Sequence, residues 1–149
     1  YMSNVNIRKI TIDDKEDFLK MSKEFYSSDA VLSDIKPQYH ENAFNELMRS
    51  NDYLECYIFD SGSEILGYGL INKMFTHETG GLTVWIEELY LRENSRGKGI
   101  GGRFLDMVEK LYPANRIRLE TEPENERAAA LYYRHGYKKL DYMQMYKDL

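Results

Sequence analysis

The sequence predicts an α/β domain with a mixed, mostly antiparallel sheet of about six strands and helices on both faces. Apolar stretches with a period of two alternate with stretches of helical spacing, in the order β-α-α-β-β-β-α-β-α-β. Three of these strands follow one another with only short turns between them, which favours an antiparallel meander. The third is followed by a helix and another strand, and such a strand-helix-strand unit makes its two strands parallel neighbours.

Size and composition indicate a single folded domain over residues 1–149, with a formal net charge of −5 and a pI of about 5.3. This acidic balance argues against nucleic acid as a partner, because nucleic-acid binding needs a basic face.

No apolar run reaches the roughly 18 residues of a membrane span, and no signal peptide is visible. The only cysteine, Cys56, lies in an apolar run, so we expect a buried thiol in a reducing, cytoplasmic compartment. The three histidines lack ligand spacing, so no metal site is expected.

The first third of the chain predicts one strand and two helices. Period-two apolar residues mark a strand over residues 5–12, with a change of phase that suggests a bulge. Asp13, with Glu16 three residues later, predicts a capped helix that ends near Tyr26. After a polar loop, Pro37 opens a second amphipathic helix.

The middle of the chain predicts the meander. Strands are expected over residues 53–59, 65–75 and 82–91, joined by turns at residues 60–63 and 76–81. Gly67 and Gly69 leave one face of the second of these strands bare, which permits a close approach of backbone or ligand.

The last third predicts two helices and two strands. Helical spacing covers residues 100–111 and Pro113 ends that helix. A short strand follows over 116–121. The helix over 124–135 ends at a glycine suited to a C-terminal cap, and a final strand is expected over residues 137–146.

A glycine-rich loop stands between the third meander strand and its helix, with four glycines in residues 97–102. A strand, a glycine loop and a helix N-terminus together point several backbone N–H groups at one spot, which suits a phosphate. Arg96 and Lys98 add positive charge there. A P-loop is excluded, because Lys98 is followed by glycine and isoleucine and not by serine or threonine.

A dinucleotide fingerprint also fits this loop, because Gly97, Gly99 and Gly102 satisfy G-x-G-x-x-G and Glu120 ends the next strand. Three features count against it. A polar insert over residues 92–96 separates the strand from the glycines, the strand carries two glutamates within a meander, and only one further strand-helix-strand unit follows.

Two segments together resemble the GCN5-related N-acetyltransferase (GNAT) superfamily. Residues 96–101, Arg-Gly-Lys-Gly-Ile-Gly, match its acyl-CoA pyrophosphate loop, Arg/Gln-x-x-Gly-x-Gly/Ala. Residues 125–137 match its second signature, Asn-x-x-Ala-x-x-Leu-Tyr-x-x-x-Gly-Phe, with Tyr137 in place of the last aromatic. The order of elements agrees over nearly the whole chain.

The resemblance implies that acetyl-CoA is the cosubstrate. The backbone of the strand is then expected to pair with the pantetheine arm like an added strand, with an amide near Leu89 facing the thioester oxygen. The residues expected to bind the cofactor are Leu89, Tyr90, Leu91, Arg96, Gly97, Lys98, Gly99, Ile100, Gly101, Gly102, Asn125, Ala128 and Tyr132.

The resemblance also assigns catalytic residues. Tyr132 occupies the motif position of the acid that protonates the departing thiolate, although packing is the ordinary role of a tyrosine and Asn125 is equally a helix N-cap. An ammonium acceptor must lose a proton, and Glu87 or Glu88 can take it directly or through water. Adjacent strand residues face opposite ways, so only one reaches the acceptor unless a bulge redirects them. The resemblance slightly favours Glu87.

The acceptor is expected to be a small primary amine, held against the first two helices by acidic and aromatic residues. Solvated surface charge explains each of these residues equally well. The alternatives are a protein or peptide acceptor, and an acyl-CoA-binding module without activity. A homodimer is possible. The candidate acceptor contacts are Glu24, Tyr26, Asp29, Asp34 and Tyr39.

Overall fold

The computed structural model describes residues 4–149, which form a five-stranded sheet in the order β1-β2-β3-β4-β5. All neighbouring strands are antiparallel except β4 and β5, which are parallel. This confirms the expected fold class. The strands are β1 Asn6–Lys9, β2 Leu54–Asp60, β3 Ile65–Thr76, β4 Gly81–Leu91 and β5 Arg116–Leu119, and the helices are α1 Lys15–Tyr26, α2 Pro37–Arg49, α3 Ile100–Leu111 and α4 Glu126–Arg134.

Two apolar clusters cover the two faces of the sheet. The first cluster packs α3 against the sheet, with Phe104 and Leu105 completely buried, and Leu131 of α4 adds to it. The second cluster packs α1 and α2 against the opposite face, around Phe18 and Phe44. Helices α1, α2 and α3 each bury the apolar stripe that the sequence predicts, and the sheet is covered on both faces.

The N-terminal cap of the first helix differs from the prediction. A short 3₁₀ turn, Ile12–Asp14, precedes α1. The reciprocal contact joins Thr11 to Asp14, whose Oδ2 accepts a hydrogen bond from the Thr11 backbone N–H at 2.7 Å. Asp14 is buried in an ion pair with Arg8 at 2.8 Å. Thr11 and Asp14 therefore take the roles of N-cap and capping-box partner that were predicted for Asp13 and Glu16.

Gly67 and Gly69 make room for a close approach, and the groups that approach belong to the protein itself and not to a ligand. A Cβ at Gly69 would lie 2.3 Å from the ring of Phe104, and one at Gly67 would overlap the backbone carbonyl oxygen of Tyr90. These glycines therefore allow α3 and β4 to pack tightly against β3.

The final strand expected over residues 137–146 does not form. The structure assigns no strand to residues 137–149, and their apolar side chains are largely exposed, with Met145 86% and Tyr146 90% accessible. The alternating pattern is present, but a strand also needs an edge to pair with, and this segment is separated from β5 by a cavity of about 870 Å³. Within residues 4–149 no helix is long and apolar enough to cross a membrane.

Candidate active site at the splayed strands

The glycine loop ends in the N-terminus of α3, as the sequence predicts. Gly97 and Gly99 adopt φ angles of +74° and +86°, in the left-handed region that favours glycine. Gly99 is the N-cap of α3, and no side chain caps the helix. The first N–H groups of a helix have no partner within the helix, so this terminus offers donors and a positive dipole end to an anion.

Three cationic side chains surround this loop. Arg96 and Lys98 are exposed, and the Arg96 Nε donates to the carbonyl oxygen of Leu91 at 2.8 Å, which fixes the loop to the end of β4. The third is Arg127, near the start of α4. Its Nη2 lies 2.8 Å from the position that a Cβ on Gly97 would occupy. The loop therefore combines free donors with positive charge, which suits a pyrophosphate.

Helix α4 packs directly on the start of α3. Its N-cap is Asn125, whose side-chain oxygen accepts a hydrogen bond from the backbone N–H of Ala128 at 3.3 Å. Leu131 lies against Gly101, where an added Cβ would be 3.3 Å from its Cδ2. The capping role of Asn125 is thus confirmed, and it fixes the start of the helix that carries Tyr132.

Tyr132 lies on α4 with its ring half-buried against Tyr137, at 6.0 Å between ring centroids. Burial raises the pKa of the Tyr132 hydroxyl above its ordinary value. The hydroxyl therefore keeps its proton at neutral pH and is available as a donor. Its neighbour Tyr133 is 62% exposed.

Strands β4 and β5 separate beyond the middle of β4. Their pairing runs from Thr83 opposite Arg116 to Ile86 opposite Leu119 and stops there. Residues 88–91 continue to pair with β3 on one side, and no described strand pairs with their other edge. This leaves backbone donors and acceptors facing the gap, as an added-strand contact with an extended ligand requires.

A β-bulge lies at the point where the strands separate. Leu70 pairs with Glu88 and Ile71 with Ile86, so Glu87 is the extra residue. The bulge changes the phase of β4, because Ile86 before it and Leu89 after it both pack toward α3. Glu87 and Glu88 consequently share the face toward α1.

Glu88 is buried in a hydrogen-bonded network. It is 6% exposed, and its two oxygens each accept a bond of 2.6 Å, from the hydroxyls of Tyr26 and Tyr68. Burial raises the pKa of Glu88 to about 6; the two tyrosine hydrogen bonds oppose this shift, and the charge of Glu87 adds to it. Glu88 is therefore mostly ionised at pH 7 and becomes protonated as the pH falls below 6.

Glu87 differs from Glu88 in its exposure. Its side chain is exposed, and its Oε2 accepts a hydrogen bond from the Asn72 amide at 3.0 Å. Burial and both neighbouring carboxylates raise the pKa of Tyr26, which therefore stays protonated. The site thus holds one solvent-accessible carboxylate, one buried carboxylate and a fixed phenol.

The remaining candidate acceptor contacts do not form one wall. Glu24 accepts a hydrogen bond from Tyr90 at 2.7 Å and lies 3.5 Å from the Arg92 Nε. Tyr39 is 47% exposed and carries the Lys36 ammonium 5.8 Å from its ring centre. Asp29 and Asp34 are exposed in the loop between α1 and α2. Of the five candidates, Tyr26 alone contacts the glutamates of β4, and the roles of the others stay predictions.

Sequence reasoning missed three residues around the site. Tyr68 is completely buried and reaches Glu88 from β3, but that contact depends on the bulged register, which the sequence does not specify. His40, also buried, hydrogen-bonds Ser22 at 2.6 Å and lies 5.8 Å from the Tyr26 ring. Arg127 sits inside the second signature, and its position near the start of a helix was the only signal for it.

Comparison with known proteins agrees with this geometry. A family model described as the acetyltransferase (GNAT) family matches residues 16–137. The chain is 24% identical over 145 residues to a thialysine N-epsilon-acetyltransferase from Mus musculus, covering 88% of this chain and 82% of that protein.

Solved structures share the fold. An aminoglycoside N-acetyltransferase in complex with CoA superposes with a TM-score of 0.79 at 14% identity, covering 97% of this chain and 94% of that one. A predicted acetyltransferase from Clostridium acetobutylicum with acetyl-CoA gives a TM-score of 0.78 at 20% identity, covering 96% of each chain.

Proposed function

Because the chain belongs to the acetyltransferase (GNAT) family, we propose that it transfers the acetyl group of acetyl-CoA to the primary amine of a small, amino-acid-like molecule. The observation that carries this proposal is the pair Glu87 and Glu88, which share one face beside the gap between β4 and β5. An alkylamine with a pKa of about 10.4 arrives as a cation and must lose a proton before it can attack. Two carboxylates at the gap attract the cation and can accept that proton.

The two glutamates divide this work according to their exposure. Glu87 takes the proton, directly or through a water molecule, because its carboxylate is exposed and can pass the proton to solvent. Both oxygens of Glu88 already accept tyrosine hydroxyls, so Glu88 acts as a positioning residue. Its charge fixes the Tyr26 hydroxyl toward β4 and adds to the potential that holds the ammonium group.

The loop around Gly97 and Gly99 fits the pyrophosphate of CoA, with Arg96, Lys98 and Arg127 supplying charge. The free edge of β4 fits the pantetheine arm, and a backbone amide near Leu89 donates to the thioester oxygen. Acetyl-CoA supplies the activated acetyl group and a thiol leaving group.

Tyr132 donates the proton that the departing sulfur needs. Its raised pKa keeps that proton in place until transfer.

A small acceptor is favoured by two relatives, whose names specify thialysine and aminoglycosides as substrates. We extend the proposal to the whole chain, residues 1–149, as one acetyltransferase domain. Cys56 is buried and unpaired, and burial raises the pKa of its thiol, so it is structural and not a nucleophile. A cytoplasmic location stays a prediction.

The test is a thiol-release assay with acetyl-CoA and a panel of acceptors: thialysine, lysine, short diamines, an aminoglycoside, and peptides with free N-termini or lysines. We expect turnover with at least one small amine. Turnover with peptides alone would show that the acceptor is a protein or peptide and not a small amine. The absence of turnover with any amine would indicate an acyl-CoA-binding module without activity. Acetyl-CoA at about 100 times its Kd should stabilise the fold by roughly 2.7 kcal/mol; no shift in the melting temperature would contradict the CoA site itself.

A further inference from the structure

Arg118 stacks on Trp85 beside the glutamates of β4. The two residues are neighbours in the parallel ladder of β4 and β5, and the guanidinium carbon of Arg118 lies 4.7 Å from the centre of the Trp85 ring. Their neighbours Ile86 and Leu119 pack toward α3, so this pair lies on the opposite face of the sheet. That face also carries the two glutamates at the bulge.

Trp85 belongs to neither of the two apolar clusters that cover the sheet. Its side chain is only half-buried. Asn72 pairs with Trp85 across β3 and β4, and the Asn72 amide donates a hydrogen bond to Glu87 at 3.0 Å. The Trp85 ring is therefore available to a ligand, and it lies next to both the guanidinium and the residue that positions Glu87.

The Arg118 guanidinium has no carboxylate partner within the protein. Among residues 4–149 it forms no ion pair and no hydrogen bond, whereas Arg116, two residues earlier on the same face of β5, is paired with Glu78. A guanidinium presents its N–H donors in a planar fork that matches a carboxylate, and an aromatic ring beneath it is a favourable support. Arg118 is thus suited to a carboxylate that a ligand supplies.

The guanidinium and the exposed carboxylate are several ångströms apart. Glu87 follows Trp85 by two residues along β4, which corresponds to about 6–7 Å at about 3.3 Å per residue. In an α-amino acid the amine nitrogen and the carboxylate carbon are only about 2.5 Å apart, and each further carbon in the chain adds about 1.3 Å. An acceptor with about four or five carbons between its amine and its carboxylate therefore matches the spacing.

We propose that Arg118 and Trp85 form a carboxylate subsite, so that the acceptor is an ω-amino acid whose amine meets Glu87 while its carboxylate lies on the Arg118 guanidinium. The hydrocarbon between these two ends lies on the Trp85 ring. This assignment rests on the proposed acetyl transfer, because that reaction places the amine at Glu87. Arg118 is then the residue that distinguishes amino acids from simple amines.

The first test measures binding without turnover. Trp85 is the only tryptophan of the chain, so its fluorescence reports directly on this subsite. The chain is titrated, in the presence of CoA, with 6-aminohexanoate and with hexylamine, which lacks the carboxylate. We expect 6-aminohexanoate to bind about 10-fold more tightly or better, because a hydrogen bond to a charged group contributes about that factor.

Variants of the two arginines of β5 identify the group that binds the carboxylate. Arg118→Gln should abolish the difference between the two ligands, and Arg118→Lys should reduce it, because an ammonium group keeps the charge and loses the fork. The matched control is Arg116→Lys, which keeps the charge that pairs with Glu78 and should leave the difference unchanged. Melting temperatures check that each variant is folded.

The second test is the thiol-release assay with two isomers, 6-aminohexanoate and 2-aminohexanoate. We expect kcat/KM to be at least about 10-fold higher for the first, and Arg118→Gln to lower that value without changing the one for hexylamine. Equal binding of 6-aminohexanoate and hexylamine, an equal effect of Arg118→Gln on both, or a preference for 2-aminohexanoate would overturn the subsite and leave acetyl transfer in place. Carboxylate-dependent binding that requires Arg118, without turnover of any amine, would support the subsite and overturn the acetyl transfer.

Discussion

The hydrogen bond from Tyr68 to Glu88 gives the sharpest test of the buried carboxylate. Tyr68→Phe removes one of the two hydroxyls that stabilise ionised Glu88, at 2.6 Å from its Oε1. A hydrogen bond to a charged group contributes about 1.5–3 kcal/mol, and 1.36 kcal/mol corresponds to one pKa unit. Glu88 then titrates about one unit or more above its present value of about 6.

The direction in which activity changes with pH follows from the ionisation state of Glu88. The ionised form of Glu88 positions Tyr26 and helps to hold the cation, so activity is lost as the pH falls through the pKa of Glu88. In Tyr68→Phe this loss should begin near pH 7 or above. The measurement is kcat/KM against pH, taken as the ratio of wild type to variant, because ionisation of the acceptor amine is common to both and cancels.

A matched control separates this effect from general destabilisation. Tyr57 is also a buried tyrosine of the sheet, and its hydroxyl pairs with that of Tyr112 at 2.7 Å, within the cluster around α3. Tyr57→Phe should lower the melting temperature without moving the acid limb. If the profiles of Tyr68→Phe and wild type superimpose while both proteins are folded, Glu88 is not the group that titrates and its positioning role fails.

The remaining predictions concern the proton acceptor, the loop and the acid. Glu87→Gln should lower kcat by about 10²-fold with little change in the KM for acetyl-CoA, since base catalysis contributes 10²–10⁴-fold; an unchanged kcat would leave the proton to water. Gly99→Ala should raise the KM for acetyl-CoA, whereas Gly62→Ala, at φ +90° in an open turn, should cost similar stability without that effect. Equal KM values for acetyl-CoA in the two glycine variants would show that the glycine loop does not bind CoA. Tyr132→Phe should lower kcat by about 10²-fold while Tyr133→Phe leaves it unchanged, and equal rates would remove Tyr132 from the acid role.

Local rules predicted the elements whose partners are near in sequence. The helical spacing of residues 100–111 gave the bounds of α3, since an amphipathic stripe beside a proline stop is a local signal. The glycine loop was predictable for the same reason, because Gly97 and Gly99 adopt φ angles that other residues avoid. The N-cap was predicted at Asp13, two residues after the observed Thr11. Thr11 is capped by Asp14, and the position of the Asp14 side chain depends on its ion pair with Arg8, which the local pattern does not reveal.

Non-local contacts account for what the sequence did not reveal. Tyr68 and Glu88 are 20 residues apart and meet only in the bulged register. Arg127 reaches the loop only because α4 packs on α3. The alternating pattern of residues 137–146 is compatible with a strand, but a pattern does not specify which strand edge it pairs with.

One extra residue in β4 accounts for much of the site. Without the bulge at Glu87, regular alternation would send Glu87 and Glu88 to opposite faces, and one carboxylate would enter the apolar cluster around Phe104, where no described cation pairs with it. The bulge turns both toward α1, where Tyr26 and Tyr68 satisfy the buried one. The ladder to β5 stops at Ile86, directly before the same residue, and opens the edge that an extended ligand can occupy. Deleting Glu87 should therefore restore regular alternation, with Glu88 still opposite Leu70 and facing α1, and should close the gap to β5, whereas Glu87→Gln removes only the charge. Loss of acetyl-CoA binding in the deletion, with binding retained in Glu87→Gln, would show that the bulge, and not the charge of Glu87, opens the edge of β4.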